Sequence, residues 1–424
     1  MSNFEALGLS PLLLKSLENQ QITKPTPIQA QGIPLIMQGR DLMGLAQTGT
    51  GKTAAFGLPL LNNLLSLGSK PAPRTARALI LAPTRELAQQ ITENLTRFTR
   101  KTHLKVSLVV GGASVSGQCR RMEQGTDVLV ATPGRLLDLL ARRAVVLSET
   151  RFLVLDEADQ MLDMGFIQPL REIAKLLPAK RQTLLFSATM PKQMAELASA
   201  YLTDPVRVEV SPAGKAADKI TQSVHFVPQG HKAALLKELM AEHRDQLALV
   251  FSRTKHGAER LMKQLCEAGF VAASIHGNKS QSQRDRALKD FKVGKIKVLV
   301  ATDVAARGID IPAVRFVYNF DLPNVAENYV HRIGRTARAG ADGTAIAFCS
   351  QEEMGELRGI EKVLKTSISV ASGEAWAGEG GKSKPNPQQR RRGKPSGGKP
   401  AGAKPETYGK PRQQRNSKPR RRAA

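Results

Sequence analysis

The chain has 424 residues and carries 63 Lys+Arg against 37 Asp+Glu, a formal net charge of +26. That length is too great for one ordinary core and implies two domains with extras, and so basic a chain points to a polyanionic partner. No apolar run is long enough to span a bilayer, and Met1-Ser-Asn-Phe-Glu leads directly into structured sequence without a signal peptide; Cys119, Cys266 and Cys349 are too scattered for a disulfide framework or a zinc site, so the expectation is a cytoplasmic chain with reduced thiols and no membrane contact.

The opening segment carries Phe4 and then Lys24-Pro-Thr-Pro-Ile-Gln29. The prolines stiffen an extended turn, and Pro27-Ile28-Gln29 can open a helix. A glutamine amide can make paired hydrogen bonds to an adenine edge, although a helix-start glutamine in solvent is the plainer reading of Gln29 alone. Asp41-Leu-Met-Gly-Leu45 reads as a short strand, followed by Ala46-Gln-Thr-Gly-Thr-Gly-Lys-Thr53 and an apolar run suited to a helix. Gly49 and Gly51 let the backbone N–H groups of the loop, through Thr48 and Thr50, turn around phosphate oxygens, and the helix N-terminus adds its positive dipole end. Lys52 would reach the β- and γ-phosphates, and the Thr53 hydroxyl would ligate Mg²⁺. The strict phosphate-loop pattern has glycine where this chain has Ala46.

Downstream come Ala78-Leu-Ile-Leu-Ala82, Val106-Ser-Leu-Val-Val110, Asp127-Val-Leu-Val-Ala131, Phe152-Leu-Val-Leu155 and Thr183-Leu-Leu-Phe186, each a short apolar strand candidate ending in a polar or Gly-rich turn. Phe152 to Leu155 runs into Asp156-Glu157-Ala158-Asp159. Strands of a parallel sheet hold ligands at their carboxyl ends, so Asp156 and Glu157 fall where a metal-bound phosphate would lie. One acid would hold Mg²⁺, directly or through water, and the other would orient or deprotonate the attacking water. Helical segments separate the strands, which predicts a doubly wound parallel-sheet α/β domain with its motifs along one edge. On that edge Arg85, Gly111, Gly112, Thr132 and Arg135 offer amides, hydroxyls and guanidinium groups without an aromatic platform, which suits sugar–phosphate contact better than base reading.

A polar, Pro/Gly-marked break around 211–217 is followed by a restart: Leu247-Ala-Leu-Val-Phe251, Val271-Ala-Ala-Ser-Ile275, Lys297-Val-Leu-Val-Ala301 and Val314-Arg-Phe-Val-Tyr318. This second half has no phosphate loop, and its motifs are cationic. In His331-Arg-Ile-Gly-Arg-Thr-Ala-Arg-Ala-Gly340, Arg335 and Arg338 stand at i, i+3, so on a helix or tight turn both face one way. Two guanidinium groups aimed at a γ-phosphate would act as arginine fingers; a solvated basic helix is the plain alternative.

Asp156-Glu-Ala-Asp159 and the motifs around it resemble the DEAD-box ATP-dependent RNA helicases over roughly residues 4 to 350. The compact core with a basic tail looks most like the bacterial RhlE-type members. The resemblance implies two tandem RecA-like domains, at 1–210 and 218–372, joined by a linker at 211–217. It implies ATP and Mg as cofactors, with Gln29 on the adenine, Phe4 as the upstream aromatic and Asp310, in Arg307-Gly-Ile-Asp310, engaging nucleotide. The family has Gly and an aromatic where this chain has Gln21-Ile22. It assigns Arg85, Gly111, Gly112, Thr132 and Arg135, and then Arg253, Gln281, Arg284 and Thr302, to the RNA backbone. Ser187 and Thr189 resemble the motif that couples the two sites. The implied activity is ATP-dependent local unwinding of RNA duplexes or remodelling of RNA–protein complexes on single-stranded and duplex RNA, with ribosomal precursors or RNA-decay assemblies as settings.

The remainder, 373–424, is expected to be a disordered basic tail. Lys382–Ala424 holds 15 Lys+Arg and one acid, Glu406, with prolines and glycines throughout and a single aromatic, Tyr408. Such a segment cannot bury a core, and it suits non-specific phosphate contact. Two other classes stay open on the sequence: an RNA chaperone or annealing factor that works through the tail, and a DNA translocase of the same superfamily.

Overall fold

The first half of the chain builds one parallel sheet and the second half builds it again. The computed structural model describes residues 3–46, 49–68, 70–190, 192–210, 220–306, 314–337 and 342–376. The first sheet contains β1 (Leu42–Leu45), β2 (Ala76–Leu81), β3 (Val106–Val109), β4 (Thr126–Ala131), β5 (Phe152–Leu155), β6 (Gln182–Ser187) and β7 (Val206–Glu209). The second contains β8 (Ile220–Phe226), β9 (Ala248–Phe251), β10 (Ala272–Ile275), β11 (Val298–Ala301), β12 (Phe316–Asn319), β13 (Gly343–Cys349) and β14 (Ser369–Ser372). Their spatial orders are β3-β4-β2-β5-β6-β1-β7 and β10-β11-β9-β12-β13-β8-β14, so the second sheet repeats the first strand for strand. Every pairing between these strands is parallel. We call the two halves lobe 1 and lobe 2.

Parallel strands need crossover helices, and helices on both faces bury both faces. β2, β4 and β6 are buried along their whole length. Along β2, Ala78 and Ile80 enter one apolar cluster while Leu79 and Leu81 enter the other. That double burial is why the strands read as unbroken apolar runs, without polar alternation. It also puts the carboxyl ends of β1, β5 and β6 side by side, with the phosphate loop, Asp156 and Ser187 at their tips.

The linker expected at 211–217 lies outside the described residues, as do Thr48, Arg307, Asp310, Arg338 and the tail from 377 onward. Among the described residues no helix is long and apolar enough to cross a membrane.

Candidate active site and nucleic-acid interface

The helix Lys52–Leu65 begins directly after Gly51, whose φ of 87° lies in the left-handed region that a side chain resists. A Cβ at Gly51 would also run into the Gln29 amide. Gln29 stands at the third position of the helix Pro27–Met37 and closes a capping box with Thr26. Its Oε1 accepts from the Thr26 backbone N–H (3.0 Å) and its Nε2 donates to the Gly51 carbonyl (3.0 Å). Gln29 is therefore buried and ties the phosphate loop to the preceding helix. Each end of its amide retains one further hydrogen-bonding position.

The Lys52 ammonium is buried at the bottom of this loop, 3.9 Å from Asp156 Oδ1, and has no hydrogen-bond partner among the described residues. Asp156 is buried at the tip of β5 and pushed up to about 6. Burial is the main cause, the charges of Glu157 and Asp159 add to it, and Lys52 opposes it. A buried ammonium without a hydrogen-bonded anion beside a carboxyl that resists ionisation fits a site built for an anion and a cation together. Glu157 follows with φ 52°, a left-handed conformation that costs a non-glycine residue of order 1–3 kcal/mol. A cavity of 490 Å³ is lined by Gln29, Gly49, Gly51, Lys52, Thr53, Asp156 and Glu157 together with Gln20 and Ile22.

Two findings here were not read from the sequence. Gln90, Asn94, Arg97 and Phe98 of the helix Arg85–Thr99 also line the cavity. Their i, i+4, i+7, i+8 spacing is one helix face and was the available signal. Phe4 is 4% exposed, belongs to the apolar core with Leu7, Leu9, Leu13 and Leu17, and is not among the residues lining the cavity. An aromatic followed by leucines at near-helical spacing anchors a terminal segment by burial.

Asp159 makes the connection from this site. Its Oδ2 accepts from the backbone N–H groups of Ala188 (3.1 Å) and Thr189 (3.0 Å) and from the Thr189 hydroxyl (3.1 Å), and Ser187 Oγ donates to the Thr189 carbonyl (2.6 Å). The same Asp159 oxygen lies 3.9 Å from His331 Nε2 in lobe 2. Asp159 thus both holds the turn at Ala188 and Thr189 and lies near His331 of the other lobe.

Arg85 opens its helix beside Gly111 and Gly112, and a Cβ on Gly112 would collide with its guanidinium. Arg135 Nη1 donates to the Ala113 carbonyl (3.0 Å), and the Thr132 N–H to the Val109 carbonyl (3.1 Å). Burial, with Arg284 and Arg135 close by, holds the Arg85 guanidinium below its ordinary value, with Glu86 opposing. Cations gathered this closely around Arg85 suit a polyanion.

Gln281 and Arg284, expected on RNA, are engaged at the joint between the lobes. Gln281 accepts from Arg85 (3.3 Å) and donates to Glu86 (3.1 Å), and Arg284 Nη2 lies 2.9 Å from the same Glu86 oxygen. Thr302 is buried ahead of the short helix Asp303–Ala306. Arg332 grips Asp303 through Nε and Nη2 (2.6 and 2.7 Å), donates to Asn319 and to the Asp321 carbonyl, and lies over the Phe251 ring. It is an internal brace of the basic motif. The helix Ala326–Ile333 stops before Arg335, which sits buried in the following turn with its Nε donating to the His331 carbonyl (3.3 Å).

Residues 26–197 match the DEAD/DEAH box helicase family and residues 231–340 match the helicase conserved C-terminal domain. The chain is 44% identical over 376 residues to the ATP-dependent RNA helicase CshA of Listeria monocytogenes, covering 89% of this chain and 71% of that protein. The S. cerevisiae Dbp5 structure bound to RNA and ADP BeF3 is 33% identical and superposes with a TM-score of 0.79 over 88% of this chain and 96% of the chain in that structure. A DEAD box protein from Methanococcus jannaschii, 36% identical, covers 87% of this chain and 98% of its own with a TM-score of 0.51. With two RecA-like sheets, a phosphate loop and Asp156-Glu-Ala-Asp159 in place, the chain belongs to the DEAD-box ATP-dependent RNA helicases.

Proposed function

We propose that ATP is held by the loop Thr48–Thr53 and Gln29 of lobe 1, and that RNA is held along the neighbouring edge of both lobes mainly through its backbone. The observation that carries this reading is the buried Lys52–Asp156 pair beside the strained Glu157. Lys52 supplies the cation for the β- and γ-phosphates, and Glu157 orients and accepts a proton from the attacking water. Thr53 and Asp156 are the residues that would hold Mg²⁺, which when bound neutralises phosphate charge as a Lewis acid. Asp159 passes the state of this turn to Thr189 and His331, so hydrolysis and lobe contact are linked. Arg335, with Arg338 and Asp310 from outside the described residues, completes the nucleotide site from lobe 2. Arg85, Gly111, Gly112, Thr132 and Arg135, then Arg253 and Thr302, contact RNA phosphates, while Gln281 and Arg284 hold the lobes together when RNA is bound.

The proposal extends to organisation: domains at 1–210 and 218–372, a linker at 211–217 and a basic tail at 373–424. The compact core and basic tail favour the RhlE-type subgroup. The three free cysteines favour the cytoplasm. Ribosomal precursors or RNA-decay assemblies are the settings, and sequencing RNA crosslinked to the protein in cells tests them. The test of the chemistry is Glu157→Gln. It should retain ATP and RNA binding and lose about 10²–10⁴-fold in turnover. Near-native turnover would remove Glu157 from the mechanism.

A further inference from the structure

Because the two sheets match strand for strand, each position on the carboxyl edge of lobe 1 has a counterpart in lobe 2. β1, which leads into the phosphate loop, corresponds to β8; β5, which leads into Asp156, corresponds to β12; β6 corresponds to β13. Lys52 is the first residue of the helix after β1, and Lys232 is the first residue of the helix Lys232–Ala241 after β8. Lys52 Nζ lies 3.9 Å from Asp156 Oδ1 after β5, and Lys232 Nζ lies 3.9 Å from Asp321 Oδ1 after β12.

There the likeness stops. Lys232, with a fully buried side chain, donates to the Phe320 carbonyl (2.9 Å) and is ion-paired with the Glu353 carboxylate. Glu353 also accepts from the backbone N–H groups of Leu322 and Ser350 (3.1 Å each), the Ser350 hydroxyl (3.1 Å) and Arg253 Nη2 (2.9 Å). Two backbone N–H groups, a hydroxyl, a lysine and an arginine form the kind of donor set that a phosphate-binding loop offers a phosphate. Here a carboxylate from the chain itself fills it.

We propose that Glu353 is a built-in phosphate surrogate, which closes this edge of lobe 2 to nucleotide and acts as a positioning residue for RNA through Arg253. The second half rests on the reading of Arg253 as an RNA contact. Arg253 is the member of the set that reaches solvent: its side chain is 39% exposed, and with Thr254, Gly257 and Arg260 it lines a groove of 530 Å³. Its backbone N–H is fixed by Asp321 (2.9 Å), and Nη2 is shared between Glu353 and the Leu322 carbonyl (3.2 Å). One edge of the guanidinium is thus anchored, and its remaining N–H groups can meet a phosphate in a set orientation.

The test uses the full chain. Removing one partner of a buried pair is strongly destabilising, whereas replacing both is often neutral. Lys232→Met/Glu353→Gln therefore removes the charge behind Arg253, with thermal melting as control. The RNA concentration for half-maximal ATPase stimulation should rise roughly 5–10-fold, as a charge-assisted bond becomes a neutral one. The kcat at saturating RNA and the KM for ATP should not move. Glu353→Asp, one methylene short of Arg253, keeps the charge and should give the same split in smaller measure. Arg253→Ala run alongside should itself raise the half-stimulation concentration, and adding the pair replacement to it should have no further effect. If Arg253→Ala weakens RNA stimulation and the pair replacement does not, Glu353 is structural and the proposal fails. If Arg253→Ala has no effect, it is the RNA reading of Arg253 that fails. The surrogate has its own arm: in a Lys52→Ala background, Glu353→Ala empties the donor set and removes the carboxylate paired with Lys232, so the variant should be stabilised by inorganic phosphate, unlike its Glu353 parent. Melting that ignores phosphate in both would overturn it.

Discussion

The carboxyl edges of lobe 1 and lobe 2 are the same scaffold with opposite charge accounting. In lobe 1, Lys52 is buried without a hydrogen-bonded anion among the described residues, Asp156 is pushed up to about 6 by burial, and Glu157 is held in a left-handed turn. In lobe 2, Lys232, Asp321 and Glu353 sit at corresponding strand ends: Lys232 donates to Glu353 and to the Phe320 carbonyl, Glu353 accepts from the Leu322 N–H, and Asp321 accepts from the Ser252 hydroxyl and the Arg253 N–H. The first edge is left high in energy, to be satisfied by a charged ligand; the second is satisfied by the chain. A fold therefore does not determine which edge reacts. What differs is the loop chemistry at the strand ends: Gly49–Thr53 on lobe 1, and on lobe 2 a carboxylate, Glu353, in the place where we propose a phosphate would lie.

The most severe way to break this division of labour is to remove what lobe 2 lends to lobe 1. Arg335 is buried in the turn after His331, and His331 already reaches toward Asp159. Arg335→Ala should lower RNA-stimulated kcat by about 10³–10⁵-fold, the range of an arginine finger. Melting of lobe 2 serves as the control. A loss of activity matched by an equal collapse of folding would assign Arg335 to structure, as Arg332 is already assigned by its grip on Asp303.

Arg332 and Arg335 also mark how far the sequence could be read. Strands buried on both faces leave unbroken apolar runs, so β1 to β6 and β9 to β12 were legible, with shifts of a residue or two at their ends. β8 was not, because Thr221, Gln222, Ser223 and His225 break its apolar run. β14 was not either, since it is an exposed edge strand. Local motifs gave the loop at Gly49–Thr53 and the acids at 156 and 157, because that chemistry is contiguous in the chain. Contacts between distant segments were beyond it. Nothing local says that Glu86 will meet Arg284, that Asp159 will bind Thr189, or that Glu353 will fill a phosphate's place. Nor does the spacing of these arginines say that Arg332 will brace Asp303 from inside the lobe. Phe4 shows the complementary limit: a buried aromatic and a base-stacking aromatic look alike in sequence.

The comparison is sharpened by subtracting cations that belong to neither edge. Lys382–Ala424 contributes +14 of the +26, with Tyr408 as its single aromatic. If about three or four of these cations engage a single strand, each adds about 0.7 to the salt slope, so deleting the tail should flatten log K against log[salt] by about 2–3. The tail's contribution to RNA affinity should fall roughly 20–50-fold between 50 and 200 mM salt on that slope. In a chain ending at Gly381, kcat at saturating RNA should hold while half-stimulation requires more RNA. Equal salt slopes with and without the segment would leave RNA binding to the two lobes alone.

The mildest intervention makes lobe 1 resemble lobe 2 by relieving its charge. Asp156→Asn keeps shape and removes the ionisation that burial resists. The sign follows from the direction of the shift. A carboxyl raised to about 6 from an ordinary value of 3.8 binds its proton more tightly in the folded state, so folding stability falls as pH rises from about 4 to about 6 and stays lowered above that. The effect of Lys52, which favours the carboxylate, is already contained in that net shift. The asparagine variant escapes the cost. Without nucleotide it should melt higher than the native chain at pH 7.5, by roughly 6–12 °C, since a shift of this size is worth on the order of 3 kcal/mol and each kcal/mol moves the midpoint about 2–4 °C in a domain of this size. The gap should narrow as pH falls through 6 and close below about 4, where both side chains are neutral. Turnover in the same variant should be lost at every pH, because the carboxylate that burdens the fold is the one the proposed site uses. A variant that melts lower than the native chain at pH 7.5 would mean that Asp156 is satisfied where it stands, and that the two edges differ less in energy than in shape.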